Sequence, residues 1–72
     1  MLELEKELIG KNIYTLRKQA GYSQIELANM CEIDKTNFGR IERGEVAVRI
    51  DILILISRAL GITPSALLQD IS

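Results

Sequence analysis

Apolar residues recur along this chain mostly at helical spacing. Ile9, Ile13 and Leu16 stand at i, i+4 and i+7, one face of a helix from about Glu5 to Gln19. Gly21 follows as a left-handed cap. A second helix opens at "SQIE", where Ser23 can accept from a backbone N–H and Glu26 can reach back three residues, a capping box. Leu27, Ala28 and Cys31 form its inner face. The third helix takes Asp34 as its N-cap, turns Phe38 and Ile41 inward, and closes at Gly44. Gly39 in its middle costs about 1 kcal/mol relative to Ala. It is either a tolerated surface glycine or a point where the backbone must approach a neighbour or ligand closely.

The next stretch is ambiguous. "VAVRIDIL" alternates apolar and polar residues with period two, as a strand does, yet no second strand is available to pair with it. From Ile50 onward, Leu53, Ile56 and Leu60 follow helical spacing up to Gly61. The favoured reading is a helix over about Ile50–Leu60 with an extended lead-in at Val46–Val48. A fifth helix is predicted with Thr63 as cap, Pro64 at its first position, and Ala66, Leu67 and Leu68 within it.

Composition narrows the class. Seventy-two residues make one domain, 1–72, near the lower limit for a single core. With 47% hydrophobic residues and only Tyr14, Tyr22 and Phe38 as aromatics, that core must be aliphatic. Cys31 is the lone cysteine, so no disulfide can staple the chain, and a reducing cytoplasm is expected. The acidic start "MLELEKELIGK" is wrong for a secretory signal. The greasiest run, Val46 to Ile56, is too short for a bilayer and contains Arg49 and Asp51. A soluble protein without a membrane partner is the expectation.

Net charge is −1, which does not announce a nucleic-acid binder. Its distribution says more. From Lys11 to Arg43, six basic residues stand against four acidic ones, whereas the remainder holds three basic and six acidic. Enzymatic chemistry finds no support. Histidine, a metal-ligand cluster and a glycine-rich phosphate loop are all missing from the sequence. Cys31 has no base beside it and reads as a small core residue. No cofactor or small-molecule pocket is evident.

Few residues around Glu32 and Ile33 join the second and third helices, so the two should cross steeply. Anchored by Phe38 and Ile41, the third helix leaves Lys35, Thr36, Asn37 and Arg40 pointing away from the core. These side chains suit base edges: Asn pairs with adenine, Lys and Arg with guanine, and the Thr methyl meets a thymine methyl. Free N–H groups around Ser23 and Gln24 suit phosphates. The constellation fits a helix-turn-helix with one helix in the major groove.

The segment "LRKQAGYSQIELANMCEIDKTNFGRIERGE" resembles the Xre/Cro family of helix-turn-helix repressors, which includes lambdoid phage repressors and restriction–modification controller proteins. The match to the pattern LRxxxGxSQxxLA and IxxxExG falls on Leu16, Arg17, Gly21, Ser23, Gln24, Leu27, Ala28, Ile33, Ile41, Glu42 and Gly44. "RALGITPSALL" extends it, for a coverage of about Ile9 to Leu68. The resemblance implies an all-α, five-helix, lambda-repressor-like DNA-binding domain whose helices 2 and 3 form the helix-turn-helix. It implies that Gln24 touches the DNA backbone with a base in reach, and that Lys35, Thr36 and Asn37 read bases. Arg40 falls at the groove or a phosphate, and Arg43 at a phosphate. It further implies a structural salt bridge between Arg17 and Glu42, which fixes geometry more than it adds stability.

The chain departs from the family pattern in places. Val48-Arg49 replaces the usual Pro-Ser before the fourth helix, and Ile25, Ile54 and Leu55 stand where polar residues are common. The fourth helix is therefore apolar nearly all round. The reading is a homodimer interface using Ile50, Ile54, Leu55 and the fifth helix. A dimer would present two recognition helices to an inverted-repeat operator on double-stranded DNA, as a transcription regulator does. The competing reading is a protein-interaction module, antitoxin-like or a co-regulator, that uses the same fold and its apolar surface.

Overall fold

The computed structural model describes residues 2–71, and among these it is all-helical, with four α-helices and no strand. The helices are α1 (Glu3–Ala20), α2 (Gln24–Met30), α3 (Lys35–Glu42) and α4 (Ile50–Leu60), followed by a 3₁₀ turn at Pro64–Leu68. No helix among them is long and apolar enough to cross a membrane.

Each boundary has a local cause. Gly21 ends α1 at φ 85°, a left-handed conformation open to glycine at little steric cost. The Ser23/Glu26 capping box starts α2: Ser23 Oγ accepts from the Glu26 N–H at 3.0 Å, and Glu26 Oε1 accepts from the Ser23 N–H at 2.8 Å. Asp34 caps α3 by accepting from the Asn37 N–H at 3.2 Å. The helix α1 begins at Glu3, two residues before the predicted start, without a side-chain cap; the first-turn acids Glu3 and Glu5 suit its positive end.

The fifth helix and its cap need correction. The fifth helix is a 3₁₀ turn, closed by the Ala66 N–H to the Thr63 carbonyl at 3.0 Å, and not an α-helix. A segment of five residues is too short for α-helical cooperativity, and its single fully buried side chain, Leu67, suffices to anchor it. Thr63 does not cap it; its hydroxyl pairs instead with Ser65 Oγ at 2.9 Å. At "VAVRIDIL" the favoured reading holds: the helix starts at Ile50 and ends at Leu60, and the preceding residues are not helical. Residues 47–49 are neither helix nor turn, Arg49 is extended at φ −70° and ψ 151°, and Val46 and Val48 pack on the core while Ala47 and Arg49 are exposed. Period two here records a non-helical lead-in lying along the core edge, not a sheet.

Every element sends at least one side chain to a common centre. Ile13 (α1), Leu27 (α2), Phe38 (α3), Ile56 (α4) and Leu67 are fully buried. Complete burial of one such side chain contributes about 1.5–3 kcal/mol. Helix α1 packs against the C-terminal end of α3, and at Gly10 the two backbones come close. A Cβ placed there would lie 2.5 Å from the carbonyl oxygens of both Ile41 and Glu42. The crossing sets where α3 ends, and so how its outer face is presented. At the other terminus, Asn12 Nδ2 donates to the carbonyls of Leu67 and Gln69 at 3.1 and 3.0 Å, tying the chain end to α1.

Candidate nucleic-acid interface

Helix α3 is too short to persist alone and is held by its inner face. Phe38 is 0% exposed and Ile41 3%, and Gly39 and Glu42 are buried beside them. Thr36, Asn37 and Arg40 on the other side are exposed, and so is Lys35 at the helix start, on the Gly39 side. Arg43, just past the helix, is also exposed. The predicted reader positions are therefore all solvent-exposed, with Thr36, Asn37 and Arg40 turned away from the core and Lys35 at the first turn, one helical turn before Gly39.

Gly39 is not a surface glycine. It lies under two side chains: a Cβ there would sit 3.1 Å from Arg43 Nη1 and 3.7 Å from Gln24 Oε1. Arg43 thus folds back over the bare backbone of Gly39, and the Gln24 amide oxygen lies near the same spot. Gln24 is half-buried, and its Nε2 donates to Glu42 Oε1 at 2.9 Å, which leaves the amide oxygen turned toward the Arg43 side. Gln24 is accordingly less free than the sequence suggested.

Glu42 is the hub beneath the face. Arg17 Nε donates to its Oε2 at 2.7 Å and Arg17 Nη2 to its Oε1 at 3.1 Å. Arg17 Nη1 donates to the Tyr22 carbonyl at 2.8 Å, and its guanidinium carbon stands 5.2 Å from the centroid of the Tyr14 ring. The buried arginine is therefore fully partnered.

Ser23 is exposed, but its backbone N–H and hydroxyl oxygen already serve the capping box. The Ser23 hydrogen bonds hold the Glu26 carboxyl below the usual carboxylate range, so a negative charge sits at the start of α2. Ser23, Gln24, Ile25, Lys18 and Lys35 line one open groove of about 620 Å³, which joins the start of α2 to the start of α3.

Glu45 was not anticipated. Its Oε2 accepts from Arg43 Nε at 2.6 Å, and its Oε1 lies 3.7 Å from Arg40 Nε. The hydrogen bond with Arg43 holds the Glu45 carboxyl below its ordinary range. A signal for it existed: an acid directly after the glycine that reverses the chain at the end of a helix, where the turn carries it back beside the last helical residues. One further feature was not foreseen. An apolar groove of about 420 Å³, lined in part by Leu2, Ile9, Ile41, Val46 and Val48, lies between the start of α1 and the lead-in to α4. Cys31 is buried and desolvation pushes its thiol pKa up, the reverse of what a nucleophile requires.

Along α4 the predicted interface residues are unequal. Ile50 is 70% exposed and Leu55 39%, whereas Ile54 is half-buried.

A family model described as helix-turn-helix matches residues 13–67, a span from the middle of α1 to the final turn. The chain belongs to the helix-turn-helix family. Within it, the chain is 37% identical over 63 residues to control protein C.BamHI of Bacillus amyloliquefaciens, covering 86% of this chain and 78% of that protein. It is 32% identical over 63 residues to control protein C.SmaI of Serratia marcescens, covering 88% and 75%. Among solved structures, the restriction-modification controller protein C.AhdI from Aeromonas hydrophila superposes with a TM-score of 0.86 at 30% identity, over 89% of this chain and 97% of that one. The clp gene regulator ClgR from C. glutamicum superposes with a TM-score of 0.83 at 25% identity, over 88% and 82%. The all-helical arrangement is thus that of helix-turn-helix controller proteins and regulators.

Proposed function

We propose that this chain, residues 1–72 acting as one unit, is a sequence-specific double-stranded-DNA-binding transcription regulator. Helices α2 and α3 form its helix-turn-helix, and α3 enters the major groove. The observation that carries this reading is the contrast along α3: Phe38 and Ile41 are 0% and 3% exposed while Lys35, Thr36, Asn37 and Arg40 are all solvent-exposed. Lys35, Thr36 and Asn37 read base edges. Gln24, Arg40, Arg43 and the Ser23 hydroxyl meet the backbone, with Arg40 also within the groove's reach. The relatives named as control proteins support the regulatory half of the reading.

The chain acts as a homodimer on an inverted repeat, with Ile50, Ile54 and Leu55 of α4 in the interface. Ile50 at 70% exposure and Leu55 at 39% are the apolar surface that favours it. A dimer places two recognition helices roughly 34 Å apart, one turn of DNA. Occupancy then follows protein concentration through the monomer–dimer equilibrium. The same exposed isoleucine and leucine favour the second reading, a module that binds another protein.

An electrophoretic shift on duplexes selected from a random pool, repeated over a salt series, separates the two. The DNA reading predicts a logarithmic loss of affinity with salt, with a slope near −0.9 for each phosphate neutralised. Failure to enrich any duplex leaves the protein-binding reading in its place.

A further inference from the structure

We propose that Glu45 is an internal stand-in for a DNA phosphate and sets how strongly Arg40 and Arg43 engage a duplex. The inference rests on the DNA-binding reading above and adds a residue that governs affinity.

The geometry comes from the end of α3. Gly44 turns the chain with φ 75°, and the Glu45 N–H donates to the Arg40 carbonyl at 2.9 Å. That turn carries the Glu45 side chain back beside Arg40, five positions earlier, as well as beside Arg43. One carboxylate then spans two guanidiniums: Oε2 accepts from Arg43 Nε at 2.6 Å and Oε1 lies 3.7 Å from Arg40 Nε. Two oxygens of a phosphate would take up the same donors. The cluster is open to such a visitor, since the side chains of Arg40, Arg43 and Glu45 are 49%, 58% and 49% exposed. The Nη1 of Arg43 lies over the bare backbone of Gly39.

A phosphate arriving here finds both arginines partly satisfied and a like charge between them. It must share or displace the carboxylate. Because phosphates carry no sequence, the handicap falls on every duplex alike and leaves discrimination to Lys35, Thr36 and Asn37. Glu45 thereby holds down binding to DNA at large without altering which sequence is preferred.

The test uses wild type, Glu45→Gln and Glu45→Asp, titrated by fluorescence anisotropy on a pool-selected duplex and a scrambled duplex over a KCl series. Glu45 is exposed and its turn is held by a backbone hydrogen bond, so both variants should melt like wild type. Glu45→Gln is expected to bind both duplexes about three- to tenfold tighter, the scale of two exposed charge pairs. Its salt slope should steepen by about 0.9, one more uncompensated cation at the backbone. Glu45→Asp keeps the charge and should stay close to wild type in slope. Glu45→Gln matching wild type in affinity and slope overturns the proposal, and so does weaker binding, which would make Glu45 a scaffold for the arginines. Wild type binding neither duplex removes the DNA reading itself, and this inference with it, an outcome visible from the wild-type curve alone.

Discussion

Arg17 and Glu42 meet in the interior as a two-pronged pair, with Nε 2.7 Å from Oε2 and Nη2 3.1 Å from Oε1. Arg17 lies on α1 and Glu42 ends α3, so the pair pins the two helices where they cross. Both side chains are more than nine-tenths buried, and no buried side-chain polar atom among the described residues lacks a partner. Such a pair gives little net stability over apolar residues of the same shape, because desolvation of two charges offsets their attraction. Its value is positional, since it sets the angle of α3 and suspends Gln24 beside Arg43.

Breaking one side of the pair should therefore be far worse than replacing both. Glu42→Ala strands a buried guanidinium and is expected to lose about 3–5 kcal/mol in urea denaturation. Arg17→Met combined with Glu42→Leu should recover most of that loss. A double variant no more stable than Glu42→Ala would show that the pair itself holds the fold up.

Gly10 and Gly39 make an opposed pair of predictions. At Gly10 an added methyl meets two carbonyl oxygens at 2.5 Å, backbone that cannot move without shifting α1 off α3. Gly10→Ala should destabilise by several kcal/mol, on the order of 3, in the range of core overpacking. At Gly39 the nearest neighbour is the tip of Arg43 at 3.1 Å, which can swing away. Gly39→Ala should be neutral or stabilising by up to about 1 kcal/mol from helix propensity. It should also weaken DNA binding by displacing Arg43. Equal melting temperatures for the two alanine variants would contradict the crossing described here.

Acid should loosen α2 through Glu26. The Ser23 hydrogen bonds lower its folded pKa from the ordinary 4.5. The sign follows from linkage: the stability it contributes is complete above the unfolded value and is lost as pH falls through the folded one. The difference in stability between wild type and Glu26→Gln should shrink as pH drops below about 4.5 and vanish at lower pH. A difference that stays constant across that range would remove Glu26 from the capping box in solution.

The α4 surface is tested by mass. Leu55 is 39% exposed, so Leu55→Glu should fold normally yet put a charge into an apolar interface. Sedimentation velocity should report a dimer for wild type and a monomer for the variant. An unchanged mass for the variant disposes of this interface.

Much of this could be read in advance because the sequence writes local rules in the open. Ser23 with Glu26, Asp34 before Lys35, and Gly21 and Gly61 at φ 85° and 69° are short-range signals, and each marks a helix end in the structure. The burial of Phe38 and Ile41 follows from spacing on one helix. What escaped depends on contacts between segments distant in sequence. Gly10 is unremarkable until α3 arrives against it. Asn12 has no visible partner until the chain end returns to it. Glu45 becomes important only once the turn at Gly44 folds it beside Arg40. The 3₁₀ turn was misread as α-helix because capping signals do not reveal how many residues the core will hold. The lead-in at Val46 and Val48 was legible because alternation reports one-sided burial of non-helical chain, with or without a neighbouring strand.

The most direct test lies at the tip of α3. On the duplex that wild type selects from a random pool, Lys35→Ala and Asn37→Ala should each lose about 1–3 kcal/mol of binding and relax preference at one base position, while their melting curves stay unchanged. If both variants bind that duplex as wild type does and select the same sequence, α3 is not the element that reads DNA.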